Sequence, residues 1–174
     1  MADFAKAFAK LLPIEGGFVD DPADRGGATK YGISKRAYPE LDIASLTLEQ
    51  AAAIYRRDYW DALRLGPLFR QELAEEIFDS AVNCGPGNAV RWLQRALNLV
   101  GGFAPGNLAV DGALGPATLA ATNACRYPQA LLKALNGLQF LHYWQLVERH
   151  PSQARFFRGW LRRVWEHPSQ GDPS

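Results

Sequence analysis

Cysteine is scarce in this sequence: Cys84 and Cys125 are the only two in 174 residues. Two cannot build a disulfide scaffold, and no Cys/His spacing resembles a metal site. The same scarcity leaves no Cys/His pair and no metal set with which to cut a peptide. Both cysteines lie in apolar helical stretches and read as buried free thiols. Long apolar runs are missing as well. No stretch approaches the roughly 18 residues of a membrane span. Lys6 and Lys10 interrupt the N-terminus where a secretory signal would carry its apolar core. The expectation is synthesis in the cytoplasm without a signal peptide, so any action on a cell wall would need another export route. Net charge is nearly absent too, at +1, and the overall balance gives no argument for nucleic acid or membrane. Low-complexity segments and repeats of 20–50 residues are lacking, which excludes a solenoid.

What is present suits one compact domain or two small, intimate lobes. Apolar residues make up 48% and charged residues 21%, ordinary values for a globular chain. The charge is uneven. Residues 126–174 hold seven Lys/Arg against three Asp/Glu, whereas residues 1–125 hold twelve against fifteen. The basic C-terminal third reads either as a solvated helix surface or as a face for an anionic polymer.

Apolar spacing predicts helices over most of the chain. Asp3 is placed to cap a helix over 3–12, with Phe4, Ala7, Phe8 and Leu11 on one face; Pro13 and Gly16-Gly17 should end it. Thr47 and Gln50 form a capping box that opens a helix through about Leu63. Pro67 suits the first position of a helix reaching about Asn83. Further helices are predicted over 89–100, 116–124, 128–149 and 151–166. Residues 17–34 break the pattern: glycines, a proline and three aspartates make loops and short hairpin strands there.

That early polar stretch carries the chemistry. Glycoside cleavage needs a carboxylic acid to protonate the leaving oxygen, and usually a second carboxylate to activate water or attack. The acid must keep its proton near neutral pH, so apolar surroundings suit it. Glu15 has Leu11, Leu12, Pro13, Ile14 and Phe18 around it in sequence. Asp20, Asp21 and Asp24 follow on a glycine-rich turn, and Thr29 can hold a water or orient a carboxylate. Asp20 and Asp21 are also ordinary turn formers.

The stretch Glu15-Gly-Gly-Phe-Val-Asp-Asp-Pro-Ala-Asp-Arg-Gly-Gly-Ala-Thr-Lys-Tyr-Gly-Ile-Ser resembles the signature of glycoside hydrolase family 108, N-acetylmuramidases of the lysozyme superfamily. The resemblance implies a mainly α (α+β), lysozyme-like fold, with a small hairpin-bearing N-terminal lobe and a larger helical lobe. It implies Glu15 as the catalytic acid. The wider phage-type lysozyme pattern places an Asp after eight residues, which lands on Asp24. Thr29 follows after four residues, where that pattern has five. Phe18 stands where Tyr is commoner, keeping a stacking surface without the hydroxyl.

A second resemblance spans residues 82–124. Leu93-Gln94 and Leu97-Asn98, followed by Asp111-Gly112-Ala113-Leu114-Gly115-Pro116-Ala117-Thr118, are similar to a helical peptidoglycan-binding module. The Asp-Gly turn and Gly-Pro helix start also have a plain scaffold reading. Together the resemblances imply a catalytic region over 1–86 and a peptidoglycan-binding-like region over 87–168 packed into the same unit. They imply hydrolysis of peptidoglycan glycan strands between N-acetylmuramic acid and N-acetylglucosamine. No cofactor, metal or nucleic-acid partner is implied, and a monomer is expected. Either an endolysin released through a holin or a prophage-derived protein fits; a lytic transglycosylase and a non-catalytic wall-binding protein are the alternatives. Phe18, Tyr31, Tyr59 and Trp60 are candidates to stack on sugars, and Asn83 to hydrogen-bond substrate or cap its helix. Trp92, Phe140, Tyr143 and Trp144 lie at core spacing. In the last helix Phe157, Trp160, Leu161 and Val164 share one face, leaving Arg155, Arg158, Arg162 and Arg163 to a basic face with an option on anionic wall or outer-membrane polymer.

Overall fold

Asp3 starts the first helix as its spacing predicts: its carboxylate accepts the Ala5 N–H at 2.7 Å. The architecture described here is that of a computed structural model, which describes residues 1–15, 27–100 and 108–165. For residues 13–15 and 165 it describes the backbone alone. Helix α1 is Phe4–Glu15. It runs through Pro13 to Glu15 rather than stopping at the proline. One backbone donor is lost there, but Ala7, Phe8 and Leu11 are buried along the same helix, and such packing supplies most of a helix's stability in a folded protein. Then come β1 (Thr29–Lys30) and β2 (Ile33–Ser34), an antiparallel pair in which Lys30 faces Ile33.

Helix α2 (Leu48–Tyr55) opens on the expected capping box: the Gln50 N–H donates to Thr47 Oγ1 at 3.3 Å, and Thr47 N–H to Gln50 Oε1 at 2.9 Å. The predicted run to Leu63 is not one regular helix. Arg56–Asp61 widens into a π-helical turn. Helix α3 (Gln71–Cys84) begins four residues later than Pro67 suggests. The reason is tertiary. Asn123 takes both Pro67 O, at 3.1 Å, and the Phe69 N–H, at 2.9 Å, while Leu65 and Leu68 are buried. A side chain from elsewhere in the chain thus satisfies the backbone that a helix would have used.

Gly85, at φ +88°, ends α3, and α4 (Pro86–Val100) starts at once on Pro86. Helices α5 (Pro116–Asn123), α6 (Pro128–Arg149) and α7 (Ala154–Trp165) complete the fold. Mainly helical, with one small hairpin, it is lysozyme-like. Helix α3 is the shared wall, packing on α1 on one side and on α4 and α6 on the other, while α7 packs on α6. The rings of Phe4, Phe8, Tyr55, Trp60 and Phe78 meet with centroids 5.5–6.3 Å apart and fill the space between α1, α2 and α3. Cys84 and Cys125 are free thiols; Cys125 is buried and Cys84 half-buried. Among the described residues no helix is long and apolar enough to cross a membrane.

The motif shared with peptidoglycan-binding modules is internally satisfied. Gln94, buried on α4, donates to Asp111 Oδ1 at 2.7 Å, Ala113 O at 3.1 Å and Thr118 Oγ1 at 3.3 Å, and accepts from the Gly112 N–H at 2.9 Å. Asn98 pairs with both backbone groups of Leu108. These residues are scaffold that holds the loop before α5. Gly112 is required there. Its φ is +81°, and a Cβ would lie 3.1 Å from the Gly87 carbonyl oxygen and 3.1 Å from the Arg91 guanidinium carbon. Gly112→Ala should therefore destabilise the fold by about 1–3 kcal/mol, read as a lower midpoint in urea with an unchanged slope.

Candidate active site

The hairpin turns on Tyr31 and Gly32, both at positive φ, +52° and +75°. That pair matches the two-residue turn whose twist suits antiparallel strands, and glycine serves its second position at no steric cost. Tyr31 is the unusual member, because a bulky side chain rarely adopts this conformation. Its backbone is held from outside: the Tyr55 hydroxyl donates to Tyr31 O at 2.9 Å. Lys30 lies over the Tyr31 ring at 5.6 Å and donates to Ala44 O at 2.8 Å. Thr29, on β1, donates its hydroxyl proton to Gly27 O at 3.2 Å.

Behind this hairpin lies a cavity of about 160 Å³, lined by Gly32, Ile33, Ala37, Tyr38, Ile54, Tyr55, Tyr59, Val82, Asn83 and Arg163. Three tyrosines, an amide and a guanidinium give it hydrogen-bonding character suited to a hydroxyl-rich ligand. Tyr38 donates to Asp58 Oδ2 at 2.7 Å, and Asp58 also pairs with Arg57. Burial, then the hydrogen bond to Asp58, pushes the Tyr38 hydroxyl above its ordinary range; the Arg57 guanidinium holds the Asp58 carboxyl below its own. Tyr38 is thus a fixed neutral donor.

On the opposite wall, Asn83 near the end of α3 donates to the Tyr143 hydroxyl at 2.8 Å. Arg163 reaches in from α7 and holds Asp79 at 2.8 Å. Burial raises the Asp79 carboxyl, and Arg163 acts against that rise. Cys84 is pushed up to about 11 by burial, so at neutral pH it is a thiol and a poor nucleophile.

The structure brings Tyr59 and Asn83 to this one cavity; Tyr31 precedes the lining residue Gly32 in the hairpin turn but does not itself line the cavity. Thr29 is on the adjoining strand and does not line it. Trp60 corrects an expectation: at 3% exposed, between Phe4 and Phe78, it is core and offers no face to a sugar. Its alternation with Tyr59 around the helical turn decides which of the two faces inward. Trp144, expected in the core, is 47% exposed. Phe18, Asp20, Asp21 and Asp24 lie outside the described residues. Glu15 is the last residue of α1, four positions after buried Leu11 and seven after Phe8. It therefore occupies the helical register of the stripe that packs on Tyr55, itself a cavity residue.

Tyr38, Tyr55 and Arg163 escaped the reading of the sequence. Tyr38 sits in a loop with no periodic signal. Tyr55 counts equally well as a core residue of α2. Arg163 is one of four arginines on a helix, and nothing in its spacing marks it as the inward one.

Residues 8–85 match the family model described as glycosyl hydrolase 108, and residues 88–165 match that of a predicted peptidoglycan domain. Among solved structures the chain is similar to SagA of Brucella abortus, at 29% identity over 92% of this chain and 88% of that one, with a TM-score of 0.70. No curated protein matches it.

Proposed function

Residues 8–85 match the glycosyl hydrolase 108 model and residues 88–165 that of a peptidoglycan domain, and we propose that the chain is an N-acetylmuramidase with Glu15 as general acid. It is a glycoside hydrolase of peptidoglycan. The finer reading is cleavage of the β-1,4 bond between N-acetylmuramic acid and N-acetylglucosamine. One observation carries it: Glu15 closes α1 in the register of the buried stripe that packs on a cavity-lining tyrosine.

In this reading the glycan strand lies along the hairpin and the cavity behind it. Glu15 gives its proton to the leaving oxygen as the bond breaks. Asp24, together with Thr29 of the hairpin, orients water or supports the oxocarbenium-like transition state. Phe18, Tyr31 and Tyr59 offer ring faces to the sugars, and Asn83 an amide. A monomer suffices, since no step calls on a second copy. The substrate sets the place of action at the cell wall, and the endolysin role fits that place. The exposed arginines of α7, among them Arg155, Arg158 and Arg162, add weak contact with anionic polymer of the wall or outer membrane.

Mass spectrometry of digested sacculi tests the bond and the reaction together. Hydrolysis yields muropeptides with a reducing N-acetylmuramic acid end. Anhydro-sugar ends would make the protein a lytic transglycosylase, and N-acetylglucosamine reducing ends would move the cut to the other glycosidic bond.

A further inference from the structure

Arg163 belongs to the second matched region, yet it lines a cavity whose other described walls all come from the first. It differs from the other arginines of α7 in two ways. Its side chain is 10% exposed, whereas Arg155, Arg158 and Arg162 lie at the surface. Its Nη1 holds Asp79, which stands one helical turn before Asn83 on α3. The ion pair therefore anchors the stretch of α3 that carries Asn83 to the same cavity. Buried neighbours fix the arrangement further. Gln139 Nε2 reaches Asp79 Oδ2 at 3.4 Å and the Tyr143 hydroxyl at 3.2 Å, and the Trp160 ring stacks on Tyr143 at 5.1 Å.

We infer that Arg163 is a positioning residue of the active site: the C-terminal helix supplies the cavity wall with a fixed positive charge, and the catalytic region is incomplete without it. This rests on the cavity being part of the glycan cleft. A guanidinium stays charged at every working pH. The groups around it are Glu76, Asp79 and Cys84 from α3 and Tyr143 from α6, with His142 behind Tyr143. Across the cavity stand Tyr38, Tyr55 and Tyr59, with Asp58 and Arg57 behind Tyr38. Of the charged groups among these, Arg163 alone lines the cavity, with its counter-ion Asp79 set behind it. A nearby cation favours the ionised form of a carboxyl and lowers its pKa. Removing it must raise the pKa of cleft carboxyls and carry their limbs of the pH–rate profile to higher pH.

The test compares pH–rate profiles on purified peptidoglycan for the wild type, Arg163→Met, Arg163→Lys and the double variant Asp79→Asn/Arg163→Met. The double variant removes ion and counter-ion together, so it avoids the buried unpaired charge that can unfold Arg163→Met. Expected is a loss of at least about tenfold in kcat, an apparent KM within about threefold, and limbs moved upward by about half a pH unit or more in the double variant. Arg163→Lys should restore the limbs and most of kcat. A purely structural arginine would reduce the folded fraction and leave the limbs in place. Unmoved limbs in the double variant overturn the inference, as does a lysine that fails to restore them. Glu15→Gln retaining activity would remove the Glu15 assignment alone, because the limbs are read on whichever carboxyls carry the reaction.

Discussion

Glu15→Gln should reduce the clearing of peptidoglycan suspensions by roughly 10²–10⁴-fold, the usual contribution of a positioned general acid, with the thermal midpoint unchanged. The amide keeps the size and polarity of the side chain but has no proton to give a departing sugar oxygen. Two features of the position suit the role. Its neighbours in sequence are apolar, which disfavours the charged form. It also ends a helix, where the negative end of the backbone dipole disfavours a carboxylate. A backbone position on a helix anchored by Phe8 and Leu11 in the core gives the support that general acid catalysis needs. Circular dichroism and a melting curve separate lost chemistry from lost fold. Wild-type clearing by the folded Gln variant would take the role away from Glu15.

Trp60→Ala should act in the opposite way, on stability and not on substrate. The indole is 3% exposed and makes edge contacts with Phe4 and Phe78 at 5.7 Å. Truncating a buried aromatic of this kind costs about 3–5 kcal/mol, from lost transfer free energy and the cavity left behind. In a chain of this length that corresponds to roughly 10 °C in Tm. Below the new midpoint the apparent KM for peptidoglycan should match the wild type. A weaker KM with an unchanged Tm would return Trp60 to the sugar-binding surface.

The two residues show what kind of information a sequence holds. Glu15 stands out as a candidate because its context is local: a helix stripe before it, a glycine-rich stretch of sequence after it, and a long composite motif. The Thr47–Gln50 box is legible for the same reason, since it closes within three residues; so is the Asp111-Gly112 turn through its local Ala113 N–H to Asp111 bond, whereas its tie to Gln94 is not. Trp60 is not. Helical spacing says that Tyr59 and Trp60 point different ways, but not which way the core lies.

The same division runs through the whole molecule. By itself the sequence determined the mainly helical class, the position of the hairpin, the helix order and most boundaries, because capping, turn chemistry and apolar period act over one or two turns of chain. It also carried the family resemblance through residues 15–34. Only the tertiary structure decided that α3 is the wall shared by both regions. That choice made Gln94 a buried hub, turned Arg163 inward while its three neighbours stayed out, and gathered Tyr38, Tyr55, Tyr59 and Asn83 around one cavity. Tyr38 and Asp58 are twenty residues apart, Asp79 and Arg163 eighty-four. No local rule couples such positions. Their pairing follows from burial, which obliges each polar group taken from water to find a partner wherever the packing has placed one.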